Sequence, residues 1–311
     1  MRLAVFAYHD VGYECLKVLL AFEETIVAVV THEDDPEEEI WFRSVADLAR
    51  ARGVPVYTPR NPNAPDFIEL MRNCSPDLIL SFYYRRLLSE ELLAIPRLGG
   101  INLHGSLLPK YRGQAPVNWA IINGEAETGV TLHYMIEEAD AGDIVAQSPV
   151  PIGEEDTALD LYKTIIAAGA ELLHETFPLI KEGTAARILQ DSRQATKFGR
   201  RRPEDGKIRW DSPARSVYNL VRGVTHPYPG AFTFWRGEKL YIWQARPLSG
   251  AINDRGVPGT VEAVEKGKGI WVRTGDGSLL LTRTQLEGEE EVPTDDMAVR
   301  YGISPGTRLG E

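Results

Sequence analysis

Apolar positions along the chain come in short continuous runs, separated by stretches where they recur every three to four residues. Residues 2–8 (RLAVFAY) form the first run and stop at HDVG; Leu and Val over 11–21 then fall at helical spacing, so the opening reads strand, turn, helix. The same rhythm predicts strands at 24–32, 54–58, 77–82 and 100–104, and helices at 41–53, over FIELMRNC, and at 89–95 behind a Ser cap. Strands alternating with helices predict a Rossmann-like, doubly wound, mostly parallel sheet. Two alternating runs at 128–136 and 143–152, joined by a short acidic turn, predict antiparallel strands added to that sheet. A long helix at 157–181 then closes the domain.

Past residue 190 the pattern changes. Residues 192–206 are polar and rich in Arg, Pro and Gly, which marks a linker. A helical SVYNLVRGV follows, then short strands with Gly turns through AFTFWRG, KLYIWQAR, GTVEAVE, GIWVRTG and SLLLTR, the signature of a small OB-like β-barrel. The expected organisation is a catalytic domain over 1–190, a linker over 191–206 and a β-barrel domain over 207–311.

With 311 residues, 43% hydrophobic and 25% charged, the chain can build one large core and one smaller one. No apolar run approaches the ~20 residues of a membrane span, and the N-terminus lacks the shape of a signal peptide, so a cytoplasmic protein is expected. Cys15 and Cys74 stand alone in apolar surroundings and read as free thiols. The net charge of −11 is uneven: residues 201–311 carry 16 Lys+Arg against 15 Asp+Glu, leaving 18 against 30, or −12, for residues 1–200. A phosphate backbone needs the opposite sign, so the acidic first domain, with its run EDDPEEE at 33–39, argues against a nucleic-acid partner.

The chemistry gathers in NLHGSLLPKYRGQAP, residues 102–116. Asn102 and His104, two apart on a strand, face the same way at a parallel strand's C-terminal end, where such sheets hold their ligands. Asn offers a donor to a developing oxyanion and His a base and acid near neutrality. Asp140, in EEADAGD at 137–143, is placed to accept from the imidazole, which would orient it and raise its pKa. The set suits acyl transfer to an amine. No G-x-G-x-x-G or Walker loop occurs, nor any His or Cys spacing that suggests a metal.

The whole string NLHGSLLPKYRG, with DAG some thirty residues later, resembles the folate-dependent formyltransferases. The resemblance implies transfer of a formyl group from 10-formyltetrahydrofolate to a primary amine through a tetrahedral intermediate. Asn102 would stabilise the oxyanion, His104 would move the proton and Asp140 would support His104. By the same resemblance the folate would lie against Arg86, Leu87 and Leu88 and against the loop Ile136, Glu137, Glu138, Ala139 and Asp140. From the residues alone, SFYYRRLL at 81–88 reads equally as a wall for a pterin or as a half-buried strand end with solvated arginines.

FAYHDVG, SFYYR, NGEAETGVTLH, ADAGDIVAQ, FGRRRPEDG and HPYPGAF extend the similarity to the branch acting on UDP-4-amino-4-deoxy-L-arabinose in lipid A modification and polymyxin resistance. A decarboxylase domain follows in that branch, so a separate or absent decarboxylase is implied here. Tyr8, His9, Asp10, Ser106, Arg112, Gln114 and Arg201 are the candidate substrate contacts. Asp10 reads equally as a helix N-cap, and the FGRRRPEDG arginines as a solvated linker or as cations for a diphosphate. Gln114 stands where that branch has Arg and cannot supply charge, which keeps other UDP- or dTDP-amino sugars open as acceptors. Initiator tRNA is the competing acceptor. A binding module without activity is the third reading, and the presence of all three catalytic candidates speaks against it. His133, alternating with the core of its strand, is a further residue that could approach the site.

Overall fold

The structure is a computed structural model that describes residues 1–36, 39–247 and 256–310; Glu37 and Glu38 of the acidic run and Glu311 lie outside the described residues. The chain forms two compact units: residues 1–116, 127–151 and 162–199, and residues 117–126, 152–161 and 200–311.

In chain order the elements are β1 (Arg2–Ala7), α1 (His9–Ala21), β2 (Thr25–Val30), α2 (Val45–Ala51), β3 (Val56–Tyr57), α3 (Pro65–Cys74), β4 (Leu78–Phe82), α4 (Glu90–Leu93), β5 (Gly100–His104), β6 (Arg112–Gly113), α5 (Pro116–Ile122), β7 (Glu127–Tyr134), β8 (Ile144–Pro151), α6 (Ala158–Glu182) and β9 (Lys197–Phe198). The main sheet runs β3-β2-β1-β4-β5-β7-β8. β1 to β5 are parallel, and β7 and β8 join antiparallel, as their alternating runs predict. β1 and β4 are buried almost throughout, which is why their sequences are continuously apolar rather than alternating. The chain winds outward from β1 to β3 and then returns to the other side of β1 with β4, so the order reverses between β1 and β4. Ligands of open α/β sheets bind at such a reversal.

Gly12 lets α1 lie close on this sheet. A Cβ there would stand 3.0 Å from the Ala7 Cβ and 3.2 Å from the Phe82 carbonyl oxygen. The helix expected over 41–53 is shortened to α2. Ser44 caps it by accepting from the Asp47 N–H, while Trp41 and Phe42 leave the helix to pack around His9. Asp10 is not the cap of α1: Tyr8 holds that position without a side-chain bond, and Asp10, one turn in, pairs with Arg43 at 2.6 Å. Ser89 caps α4 as expected.

The stretch 192–206 is ordered by bonding, not merely a spacer. Lys197 and Phe198 pair in parallel with Arg112 and Gly113, and Phe198 stacks on Tyr111 with centroids 4.9 Å apart.

The second unit holds α7 (Ala214–Val224), β10 (Ala231–Trp235), β11 (Glu238–Pro247), β12 (Val261–Glu265), β13 (Gly269–Arg273), β14 (Ser278–Leu286), β15 (Val292–Pro293) and α8 (Thr294–Tyr301). Its antiparallel sheet runs β10-β11-β14-β13-β12, with β15 on β14. Residues 307–310 bond to Gly259 and Val261 on one side and to Phe234 on the other, so this segment bridges the two ends of the strand path. The core beneath is built from Trp210, Val217, Val221, Ile242, Ile270, Leu281 and their neighbours.

Candidate active site

Asn102 and His104 lie on the last half of β5, both on one face, opposite His133 and Thr131 of the antiparallel β7. That pairing determines the first contact, because Asn102 Nδ2 lies 3.1 Å from His133 Nε2. His133 Nδ1 is 2.9 Å from the Tyr134 carbonyl oxygen, which can only accept, so the ring proton sits on Nδ1. With the proton on Nδ1, Nε2 can accept from the Asn102 amide, and this fixes which way the amide faces. The second N–H of Asn102 is left for another acceptor.

The same reasoning applies to His104. Its Nε2 is 2.7 Å from the Tyr111 carbonyl oxygen and must donate to it, which leaves Nδ1 as the basic nitrogen. Nδ1 faces Oδ1 of Asp140 at 3.6 Å, beyond hydrogen-bond length. His133 Nε2 lies at the same distance from the same oxygen. Asp140 itself sits at a positive φ of 59° on the turn between β7 and β8, and its Oδ2 accepts from the Gly113 N–H at 2.8 Å.

Burial is the largest influence on His104 and holds its pKa below the ordinary 6.5, although Asp140 and the Tyr111 carbonyl push the other way. Asp140 does raise the His104 pKa, as expected, but burial outweighs it and the net direction is downward. The imidazole is almost wholly removed from water, and a carboxylate 3.6 Å away does not outweigh the lost hydration. For Asp140, burial pushes upward, but His104, His133 and the Gly113 N–H together hold the carboxyl well below its usual range. The site at rest is a neutral imidazole facing an ionised carboxylate.

Among the candidate substrate contacts, the structure separates accessible groups from buried ones. Ser106 is fully buried inside the turn, its hydroxyl donating to the Lys110 carbonyl at 2.7 Å, and presents nothing to a substrate. Arg112 is buried too, its Nε and a terminal nitrogen donating to Gln190 Oε1 at 3.2 and 2.7 Å. Gln114 is exposed, with its backbone N–H on the Phe198 carbonyl. Tyr8 is buried and donates to Asp34; His9, at φ 65°, stacks on Phe42 at 3.8 Å and meets the Tyr162 hydroxyl at 2.6 Å. Arg201 belongs to the second unit, where its half-buried guanidinium lies 4.7 Å over the Trp119 ring. Burial lowers its pKa, with the charge of Asp205 acting the other way.

On the candidate folate segments, Leu87 after β4 is 70% exposed and Ile136 after β7 is 50% exposed. Each is a large apolar side chain left uncovered on its loop. Arg86, Glu137 and Glu138 are exposed beside them, and Leu88 and Ala139 are half-buried. No group of three or more His, Cys, Asp or Glu that could hold a metal occurs among the described residues.

Residues 12–177 match the model of the formyl transferase family, and residues 200–302 that of the formyl transferase C-terminal domain. The chain belongs to the formyltransferase family. Solved structures show the same fold. An N-formyltransferase from Helicobacter canadensis, in complex with folinic acid and dTDP-3-aminofucose, has a TM-score of 0.70 at 22% identity, covering 90% of this chain and 98% of that one. Methionyl-tRNA formyltransferase from Clostridium thermocellum has a TM-score of 0.55 at 17% identity, covering 79% and 93%. HypX from Aquifex aeolicus has a TM-score of 0.64 at 19% identity over 98% of this formyltransferase, which spans only about half (48%) of HypX.

Two groups of the site, Gln190 and the backbone N–H of Gly113, have no counterpart among the residues singled out from the sequence. Gln190 carries no motif signal, since it acts through groups 48 to 78 residues away, whereas Gly113 closes the string NLHGSLLPKYRG but its donation to Asp140 spans 27 residues. His133, singled out because it alternates with the core of its strand, pairs opposite Asn102.

Proposed function

We propose that this formyltransferase moves a formyl group from 10-formyltetrahydrofolate to the amino group of a nucleotide-linked amino sugar, with UDP-4-amino-4-deoxy-L-arabinose as the acceptor. The observation that carries the chemistry is the constellation of Asn102, His104 and Asp140 at the end of β5. The acceptor class is supported by the acidic charge of residues 1–200, which disfavours a polyanion, and by the sequence blocks shared with the arabinose branch. Structural likeness to enzymes whose names specify sugar nucleotides is consistent with it. The product would be a formamido sugar for lipid A modification, made in the cytoplasm.

The folate supplies an electrophilic formyl carbon, and Arg86, Leu87, Leu88 and the 136–140 loop would hold it. The free N–H of Asn102 is aimed by His133 and donates to the formyl oxygen as negative charge develops there. An amine that becomes a formamide gives up a proton, and Nδ1 of His104 is the basic atom available to take it and to return it to the folate nitrogen from which the formyl carbon departs, so that tetrahydrofolate would leave neutral at that atom. Once Nδ1 is protonated, the contact to Asp140 becomes charge-assisted, so Asp140 stabilises the imidazolium that forms. Arg201, a half-buried guanidinium over the Trp119 ring, would suit a diphosphate.

Mixing the purified protein with 10-formyltetrahydrofolate and, separately, UDP-4-amino-4-deoxy-L-arabinose, a dTDP-amino sugar and methionyl-tRNA, and following mass gain of one formyl group, tests the proposal. Formylation of the arabinose nucleotide is expected. Formylation of the dTDP sugar alone would move the specificity, and formylation of tRNA alone would overturn the acceptor class. An unchanged turnover in His104→Ala would overturn the mechanism.

A further inference from the structure

Gln190 bridges two parts of the site that are remote in sequence. Its Nε2 donates to the carbonyl oxygens of Asp140 at 2.9 Å and Gly142 at 2.7 Å, while its Oε1 accepts both contacts from the buried Arg112. The side-chain amide thus spends both donors and its acceptor on one task, in a buried setting where an unmade bond is costly. The loop it holds is the one in which Asp140 adopts a positive φ, a conformation that Asp tolerates better than most residues but that is uncommon outside glycine. Arg112 is the inner anchor: its N–H donates to the Thr196 carbonyl at 2.9 Å, and its guanidinium is aimed at Gln190. Glu138, at 3.5 Å from Arg112, is largely exposed and adds little.

We infer that Gln190 is a positioning residue for Asp140, and that Arg112 acts by orienting Gln190 rather than by touching substrate. Without the amide, the 138–142 loop loses its two clamped carbonyls, and the Asp140 carboxylate drifts from the Gly113 N–H and from Nδ1 of His104. Misplacement of a catalytic group by about 1 Å costs on the order of 100-fold in rate.

The test compares wild type with Gln190→Glu, Gln190→Leu and Asp140→Asn by the amide proton resonance and hydrogen exchange of Gly113, followed by steady-state kinetics. Gln190→Glu keeps an acceptor for Arg112 and so is the variant expected to fold best, yet it loses both donors to the loop. Both Gln190 variants should move the Gly113 resonance toward its position in Asp140→Asn and speed its exchange at least tenfold. Turnover in both should slow by roughly 100-fold, with KM nearly unchanged. A Gly113 resonance at the wild-type position in folded Gln190→Glu would overturn the inference, whatever happens to the melting temperature. Only the kinetic arm rests on the proposed formyl transfer; if wild type formylates no amino sugar, the acceptor reading fails while the Gly113 signal still judges Gln190.

Discussion

The backbone N–H of Gly113 donates to Oδ2 of Asp140 at 2.8 Å, while Oδ1 of the same carboxylate faces His104 and His133 at 3.6 Å each. One oxygen is thus anchored to the main chain and the other is left to meet charge on imidazole. Replacing Asp140 by Asn keeps the size and removes the charge. Turnover should slow by roughly 100-fold or more, and the His104 pKa should drop further below 6.5 because the one carboxylate that raises it is gone. Single-turnover kinetics and a histidine-selective NMR titration check the two parts separately.

Gly113→Ala tests the anchor from the other side. Gly113 has φ 101°, and a Cβ there would stand 2.2 Å from the Phe198 carbonyl oxygen, a backbone atom that cannot step aside alone. The β6–β9 pairing should open, at a cost of roughly 1–3 kcal/mol for the backbone conformation alone, read as a lower melting temperature together with lost activity. A variant that melts like wild type and stays fully active would contradict this reading.

Acid stability should be governed first by buried neutral histidines. His9 is held down to about 3 by burial, with Arg85 adding to the effect. The unfolded chain takes up this proton as pH falls through 6.5 and the folded protein does not until about 3, so the stability His9 contributes is complete above 6.5 and is lost as pH drops. His32, held down to about 4 by burial and then by Arg85 and Arg86, acts in the same direction, as does His104. Urea unfolding between pH 7 and 5 should show stability rising with pH, with a slope from His9 of up to about 1.4 kcal/mol per pH unit. Asn tolerates the positive φ at this position, so His9→Asn should make the slope shallower.

Arg201→Ala should raise KM for the nucleotide sugar at least tenfold with turnover largely kept, because a charge-assisted contact to a phosphate is worth about 1.5–3 kcal/mol. Arg200→Ala, which changes an exposed side chain, is the control. Equal, small effects from both would remove Arg201 from the substrate site.

Much of this architecture is legible in the sequence. The parallel strands announce themselves as continuous apolar runs, and β7 and β8 as alternating runs around an acidic turn; β7 is buried on both faces and alternates because one face carries Thr131 and His133 opposite His104 and Asn102. α5 and α8 escape notice: the first is seven residues beginning at a proline, and the second opens with Thr-Asp-Asp after Pro293 and looks polar. The two-residue strands β6 and β9 are too short to carry any periodicity. Asn102 and His104 share a face because they stand two apart on a strand, and Asp140 stands on a neighbouring turn, but spacing alone assigns them no role; that comes from the resemblance of the whole string NLHGSLLPKYRG to the formyltransferases. Ser106 and Arg112 mislead: polar residues beside a catalytic string look like ligands until burial shows that their bonds are spent inside the protein.

The bonding of residues 190–198 to the site has a consequence for the order in which this protein is made. Gln190, Thr196 and Phe198 secure Asp140, Arg112, Gly113 and Gln114, which leave the ribosome some fifty to ninety residues earlier. During synthesis the sheet and the long helix can form first, but the loop that carries Asp140 lacks its Gln190 contacts, and Gly113 its β9 partner, until the chain has grown past 198. A fragment cut after α6 would retain a sheet, a histidine and an acid, and would lack the segment that makes them a unit.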